Sequence, residues 1–260
     1  MHRTILWFAL AALHFTSPVA SAADLKGKFV LAGDGPVPKA AAIADPKAFA
    51  DFPKQQLVYE DLVVDPESRG IANIAVYVRT NDAPITTEAD RAAPPRAVID
   101  TWYGQFRPRV SGVWVGKQRF FVQNQDAVGH RPAMPNPGES PLLEPLQATM
   151  EIRVGEPKLI PREICCSFHP WMKGFVILRD NPYFTATAAD GSFTLQHLPK
   201  GVALEIQIWH EKAGYLNADP TWTKGRFTIN LENDVDLGTI VVRPGLLHLP
   251  EPEEALNKEK

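Results

Sequence analysis

The chain has 260 residues, of which 22% are charged, and its 27 Lys+Arg against 30 Asp+Glu give a formal net charge of −3. There is no basic stripe to neutralise phosphates, so nucleic acid is excluded as an expected partner. Helical periodicity is scarce and the 24 prolines require many turns, which predicts an all-β protein of one large or two smaller domains.

Residues 1–22, "MHRTILWFALAALHFTSPVASA", carry one basic residue, Arg3, then an apolar run from Ile5 to Leu13 and small residues ending Ala20-Ser21-Ala22. This is the pattern of a secretory signal peptide cleaved after Ala22, and the apolar run is far short of the roughly 20 residues that cross a bilayer. The expected location is periplasmic or secreted, with no membrane span.

Residues 23–96 read as an N-terminal β-rich extension. "LKGKFVLAGDGPVPKA" predicts a short strand ended by Gly-Asp-Gly-Pro, and an alanine- and proline-rich stretch of weak periodicity follows. "QQLVYEDLVVD" and "IANIAVYVRT" predict two strands about the turn "PESRG". "NDAPITTEADRAAPPR", 81–96, has the composition of a surface loop.

Across 97–180 short strand candidates follow one another, separated by Gly, Pro or Asp: "RAVIDTWY", "RVSGVWVG", "QRFFVQN", "ATMEIRV", "EPKLIPREI" and "GFVILRD". The unpatterned stretch "DAVGHRPAMPNPGESPLLEPL" interrupts them, and loops of that length in a compact domain are usually functional or disordered. In 181–245, alternating residues flank Asp190-Gly191, a hairpin signal, and Pro199-Lys200-Gly201 supplies the next turn. "GRFTINL" and "LGTIVVRP" complete a second, smaller β unit, near the size limit for folding alone and so expected to pack on the first. Residues 246–260 read as a charged tail.

The only two cysteines, Cys165 and Cys166, are adjacent in "ICCSFHPWMKGFVIL". A bond between them would close a strained ring, and in a strand their side chains point to opposite faces, so a staple is not expected. Cys166, His169 and Met172 follow one another at three-residue spacing. Thiolate, imidazole and thioether are the donors of a trigonal Cys-His2 copper site with a weak axial Met, the electron-transfer geometry. One more histidine is required. His2 and His14 leave with the signal peptide, while His130 follows the strand run "RFFVQN" and a turn, upstream of a connection long enough to return to the cysteines.

Each candidate has a plainer alternative: Cys166 as a buried structural thiol, Met172 as core filler, His130 as a solvated loop residue. The combined spacing favours ligation. Cys165 reads as a packed inert thiol, His210 and Glu211 of "WHEK" as a surface or inter-domain contact, and His197 and His248 as solvated.

Asn124-x5-His130 together with Cys166-x-x-His169-x-x-Met172, including Pro170 after the histidine, resembles the cupredoxins, especially the amicyanin and pseudoazurin group of blue copper proteins. The upstream "TWYGQFRPRVSGVWVGKQRFFVQN" is similar to the stretch in that family where an F-x-P element precedes a turn and the strand leading to Asn. The resemblance spans about 97–180. "HPWM", "NPYFTATAADGSF" and "WHE" also resemble an exported group labelled methylamine utilization proteins, in which a carboxypeptidase-regulatory-like β-sandwich follows the copper loop.

The resemblance implies a cupredoxin-like Greek-key β-sandwich with one mononuclear type 1 copper held by His130, Cys166, His169 and Met172. It implies a carrier of single electrons rather than an enzyme, serving an unidentified redox partner protein through an accessible His169 edge near Trp171. Asn124 would tie the His130 loop to the cysteine loop by hydrogen bonds. Pro170 and Trp171 would flank the metal, with Trp171 and Phe168 shielding it. Cys165 and the segment 23–96 depart from the small blue copper proteins. Two other functions fit the same residues: a copper delivery or storage protein, and a metal-free secreted recognition module. Cys and His suit zinc as well.

Overall fold

The computed structural model describes residues 21–53, 56–134 and 140–249. The expected signal sequence up to Ala20 and the tail from 250 onward lie outside the described residues.

Strand β1 (Ala22–Leu31) is followed by the short helix α1 (Pro46–Asp51), β2 (Ala75–Val78) and the helix α2 (Thr87–Ala92). Next come β3 (Arg96–Trp102), β4 (Gln105–Arg107), β5 (Val110–Trp114), β6 (Arg119–Asn124), β7 (Pro132–Ala133) and β8 (Thr149–Ile152). Then follow β9 (Arg162–Cys166), β10 (Lys173–Arg179), β11 (Phe184–Ala186) and β12 (Ser192–Pro199). The last strands are β13 (Ala203–His210), β14 (Gly214–Tyr215), β15 (Arg226–Asn230) and β16 (Val235–Val242). The protein is all-β, and its strands form two sandwiches.

The first sandwich pairs the sheet β4-β3-β6-β8 with the sheet β5-β10-β9-β7. Strand β3 alternates exposed and buried residues, as a strand with one wet face must, and it runs parallel to β6. Ile99 and Val122 from one sheet meet Val113, Ile164, Val176 and Leu178 from the other in a single core. Strands β9 and β10 are antiparallel, with Lys173 opposite Cys165, so residues 167–172 form the loop at the end of a hairpin.

The second sandwich pairs the sheet β12-β1-β16 with β11-β2-β13-β14, and β15 lies beside β13. Residues 23–96, read from the sequence as an extension, supply a strand to each of these sheets. β1 lies antiparallel to β12 and parallel to β16, and β2 lies between β11 and β13. Leu25 and Phe29 face Val76, Val78, Ile206 and Ile208 across this core.

Several local expectations change. The described residues 56–65 of the segment "QQLVYEDLVVD" make only isolated bridges, Ala42–Val58 and Val64–Ile71, instead of a strand. Its apolar side chains are divided between the two cores, Leu57 in the first and Leu62 and Val64 in the second, so the segment crosses between sandwiches. The loop 81–96 contains α2, whose Thr86 hydroxyl accepts from the Ala89 N–H as an N-cap.

Asp190-Gly191 does form a tight turn, with the Gly191 N–H donating to the Ala188 carbonyl at 2.9 Å. The flanking strands nevertheless join different sheets, because β12 takes β1 as its partner. Gly191 has φ 84°, and a Cβ there would lie 2.1 Å from the Phe29 carbonyl oxygen. That close approach is what seats the turn against β1. At the C-terminus, the first residues of the expected tail continue a short 3-10 turn over Pro244–Leu247, and Leu247 is buried in the second core.

The sandwiches meet through Ala75, Tyr77 and Trp209 on one side and Val110, Phe175 and Ile177 on the other. Strands β2 and β10 are therefore buried on both faces, which explains why "AVYV" and "FVIL" read as unbroken apolar runs. A bidentate ion pair spans the contact: the Arg109 Nε and Nη2 donate to the Glu211 carboxylate at 2.7 and 2.9 Å. This places Glu211 at the inter-domain contact. His210 beside it is buried, and burial together with the Arg109 charge pushes its pKa down to about 4. His248 is exposed and His197 half-buried.

Candidate metal centre

The loop 167–172 folds back because its two ends are zipped by the β9–β10 hairpin. The Met172 N–H donates to the His169 carbonyl at 2.9 Å, and the Cys166 N–H donates to the Met172 carbonyl at 3.3 Å. The imidazole of His169 and the thiol of Cys166 are thereby turned into the same end of the core. His130 arrives from the other loop, pinned by reciprocal backbone bonds with Leu143 at 3.0 and 2.8 Å. β7 then pairs with β9, placing Pro132 opposite Cys166.

The result is a buried cluster of His130, Cys166 and His169, whose ligand atoms lie within 4.8 Å of one another. The Cys166 sulfur is 3.7 Å from His130 Nδ1 and 3.6 Å from His169 Nδ1, and the two Nδ1 atoms are 3.0 Å apart. A tetrahedral centre bonded to nitrogen at about 2.0 Å and to sulfur at about 2.3 Å needs separations in this range. The donor set therefore fits a single borderline metal ion.

The other ring nitrogens fix the orientation. His130 Nε2 is 2.9 Å from Asp126 Oδ2, and His169 Nε2 is 2.9 Å from Asp51 Oδ2. A carboxylate accepts only, so each Nε2 carries the hydrogen and Nδ1 is the nitrogen each ring turns toward the sulfur, a lone pair when the ring is neutral and an N–H donor when it is protonated. Two lone pairs and a thiolate that converge in a buried space repel each other until a proton or a cation stands between them.

The acid–base balance reflects this. Burial pushes the Cys166 thiol up, but hydrogen bonds from His130, His169 and the Arg131 and Phe168 N–H groups outweigh it and bring the pKa down to about 5. Burial pushes His130 down, yet Asp126 and Cys166 hold it above its ordinary value. Asp126 is opposed by burial and drawn down by His130 and by the N–H groups of Gly104 and Tyr103. Cys165, by contrast, is raised by burial and by Glu163, and its sulfur lies 3.7 Å from the Ala133 carbonyl, away from the cluster.

Met172 is fully buried in the core that also holds Cys166 and Trp171. Trp171 is buried with its ring 5.2 Å from that of His169, and its Nε1 donates to the Gly104 carbonyl at 3.1 Å. Pro170 is exposed, and Phe168 is half-buried beneath the Arg131 guanidinium at 5.0 Å.

Two expectations are corrected. Asn124 is buried, but its hydrogen bonds stay within its own loop and β3. Its Oδ1 accepts from the Asp126 N–H and the Thr101 hydroxyl, and its Nδ2 donates to the Val128 and Glu144 carbonyls. The two loops are instead joined through Arg131, whose N–H donates to the Cys166 sulfur at 3.3 Å and whose carbonyl accepts from the Ser167 N–H at 3.2 Å.

The expected accessible edge of His169 does not exist. The residue is 1% exposed, because α1 and Phe52 cover it.

The sequence reading missed both carboxylates. Asp126 carried a usable signal, four residues before His130 inside the Asn-x5-His spacing. Asp51 carried none, since it lies 118 residues from its partner in a stretch of weak periodicity.

No family model matches the chain, and no curated protein matches it. Among solved structures, it is similar to a copper-containing nitrite reductase from Thermus scotoductus at 22% identity and TM-score 0.29, over 33% of this chain and 23% of that one. The chain thus spans about a quarter of that protein's length. A purple cupredoxin from Nitrosopumilus maritimus is similar at 22% identity and TM-score 0.28, over 33% of this chain and 99% of that one. An amicyanin variant is similar at 15% identity and TM-score 0.30, over 40% of this chain and 98% of that one.

Proposed function

We propose that this protein binds one copper ion through His130, Cys166 and His169, with Met172 as the weak axial donor, and carries single electrons. The observation that supports this is the convergence of two imidazole Nδ1 lone pairs on a buried thiolate, with both Nε2–H groups tied to carboxylates. Copper bound there would supply a centre that cycles between Cu(I) and Cu(II). The chain's own contribution is a rigid cage acceptable to both states, shielded from water by Trp171, Phe52 and the first core. No bond of a substrate is made or broken in this reading. The leader-like N-terminus supports export to the periplasm or beyond, and no helix among the described residues is long and apolar enough to cross a membrane.

The test is titration of the metal-free protein with Cu(II), followed by absorption and electron paramagnetic resonance. The expected result is one equivalent bound with an intense thiolate-to-copper band in the visible. Weak absorption with no such band would remove the electron-carrier reading. A second reading, a copper store or delivery protein, draws support from the covered His169, which slows exchange with partners. Reversible electron exchange with a small redox mediator at the rate of an open site would exclude it.

A further inference from the structure

His169 meets a carboxylate that comes from neither the ligand loops nor the strands of the first sandwich. Asp51 is the last residue of α1, a six-residue helix started by the Asp45 cap and by Pro46 at its first position. α1 is held down because Ala48 and Phe52 insert into the same core as Cys166, Trp171 and Met172. The Phe52 ring stands edge-on to His169 at 5.6 Å. It also fills the space above Gly104, where a Cβ would lie 2.8 Å from the Phe52 ring. Gly104 receives the Trp171 indole N–H and donates its own N–H to Asp126 at 3.1 Å. One turn thus touches the cover of His169 and the carboxylate of His130. Asp51 itself is 24% exposed and Lys47 pairs with it at 3.1 Å, whereas the imidazole it meets is almost wholly enclosed.

We infer that Asp51 is the positioning residue of His169 and that α1 with Phe52 closes the solvent side of the centre, making metal retention depend on a segment far from the ligand loop. The inference rests on the copper reading for its affinity arm but not for its tautomer arm. A ring bonded at Nε2 to a fixed carboxylate cannot rotate to present the other nitrogen without losing a charge-assisted hydrogen bond. The same bond makes Nδ1 a stronger donor. Without Asp51, the ring is free to take the other tautomer and the cover loses its polar anchor.

The experiment compares wild type, Asp51→Asn and Asp51→Ala in the full exported chain. In the metal-free protein, nitrogen-15 NMR of the imidazoles reads the tautomer of His169. In the copper-loaded protein, competition with a chelator reads affinity, and melting of the metal-free form reports the fold. We expect the Nε2–H tautomer in wild type and in Asp51→Asn, whose amide oxygen still accepts, and a mixture in Asp51→Ala. Copper affinity should fall about 10- to 100-fold in Asp51→Ala, the usual cost of losing an outer partner of a ligand histidine, with Asp51→Asn between. Unchanged tautomer and affinity in Asp51→Ala at an unchanged melting temperature would overturn the inference. If wild type binds no copper, the copper reading fails, and the tautomer of His169 alone then decides the role of Asp51.

Discussion

The Nδ1 atoms of His130 and His169 stand 3.0 Å apart although the residues are 39 positions apart in sequence. Each ring is held there by a carboxylate on its far side. Two imidazoles packed this closely against a thiolate form a site whose repulsion is relieved by a bound cation, and the predictions below follow from that arrangement.

Cys166→Ser removes the sulfur that lies 3.7 and 3.6 Å from the two imidazole Nδ1 atoms. The intense visible band should vanish, and copper affinity should fall by more than the roughly 100-fold that loss of an outer partner costs. Met172→Leu keeps the volume in the core, so the band should persist while the reduction potential rises, because the weak donor to Cu(II) is gone. Voltammetry on the loaded variants checks this; loss of the band in Met172→Leu would contradict a merely axial role.

Copper binding should weaken as the solution is acidified, in two stages. His130 is held above its ordinary 6.5, so below that raised pKa the metal must displace its proton. Affinity should fall about tenfold per pH unit below the His130 pKa, and more steeply below about 5, where the Cys166 thiol also regains its proton. A competition titration across this range reads both slopes. An affinity that does not change with pH would show that neither group is displaced.

Asn124→Ala leaves five backbone and side-chain groups without their buried partner. Its amide links β3 to the 124–130 turn and to the 143–144 strand bridge. With one net bond lost per partner and some groups left unsatisfied, stability should drop by about 2–4 kcal/mol, measured by denaturant unfolding of the metal-free protein. His130 should also lose order, so copper affinity should fall with it.

Glu211→Ala strands a guanidinium at the contact between the sandwiches, where Arg109 is 5% exposed. The expected loss is about 3–5 kcal/mol, the cost of breaking a buried pair from one side. Unfolding curves followed by Trp fluorescence check it, and Glu211→Gln, which still accepts hydrogen bonds, should lose less.

The convergence of Cys166 and His169 was legible in the sequence because both belong to one hairpin end, where three-residue spacing is itself a geometric statement. His130 was legible through Asn124 for the same reason, since the turn between them is short. Strand alternation announced an all-β chain, and the runs buried on both faces still read as strands. Contacts made across the chain were not legible. Nothing local to Asp51 marks it for His169, nothing in "LKGKFVL" says that it will lie between β12 and β16, and Asp190-Gly191 looks like a hairpin whichever partner β12 takes. Spacing and periodicity encode which face of an element is apolar and which neighbours are close along the chain. Which distant face covers it is decided by mutual burial of the two cores, and that same burial encloses His169 beneath α1.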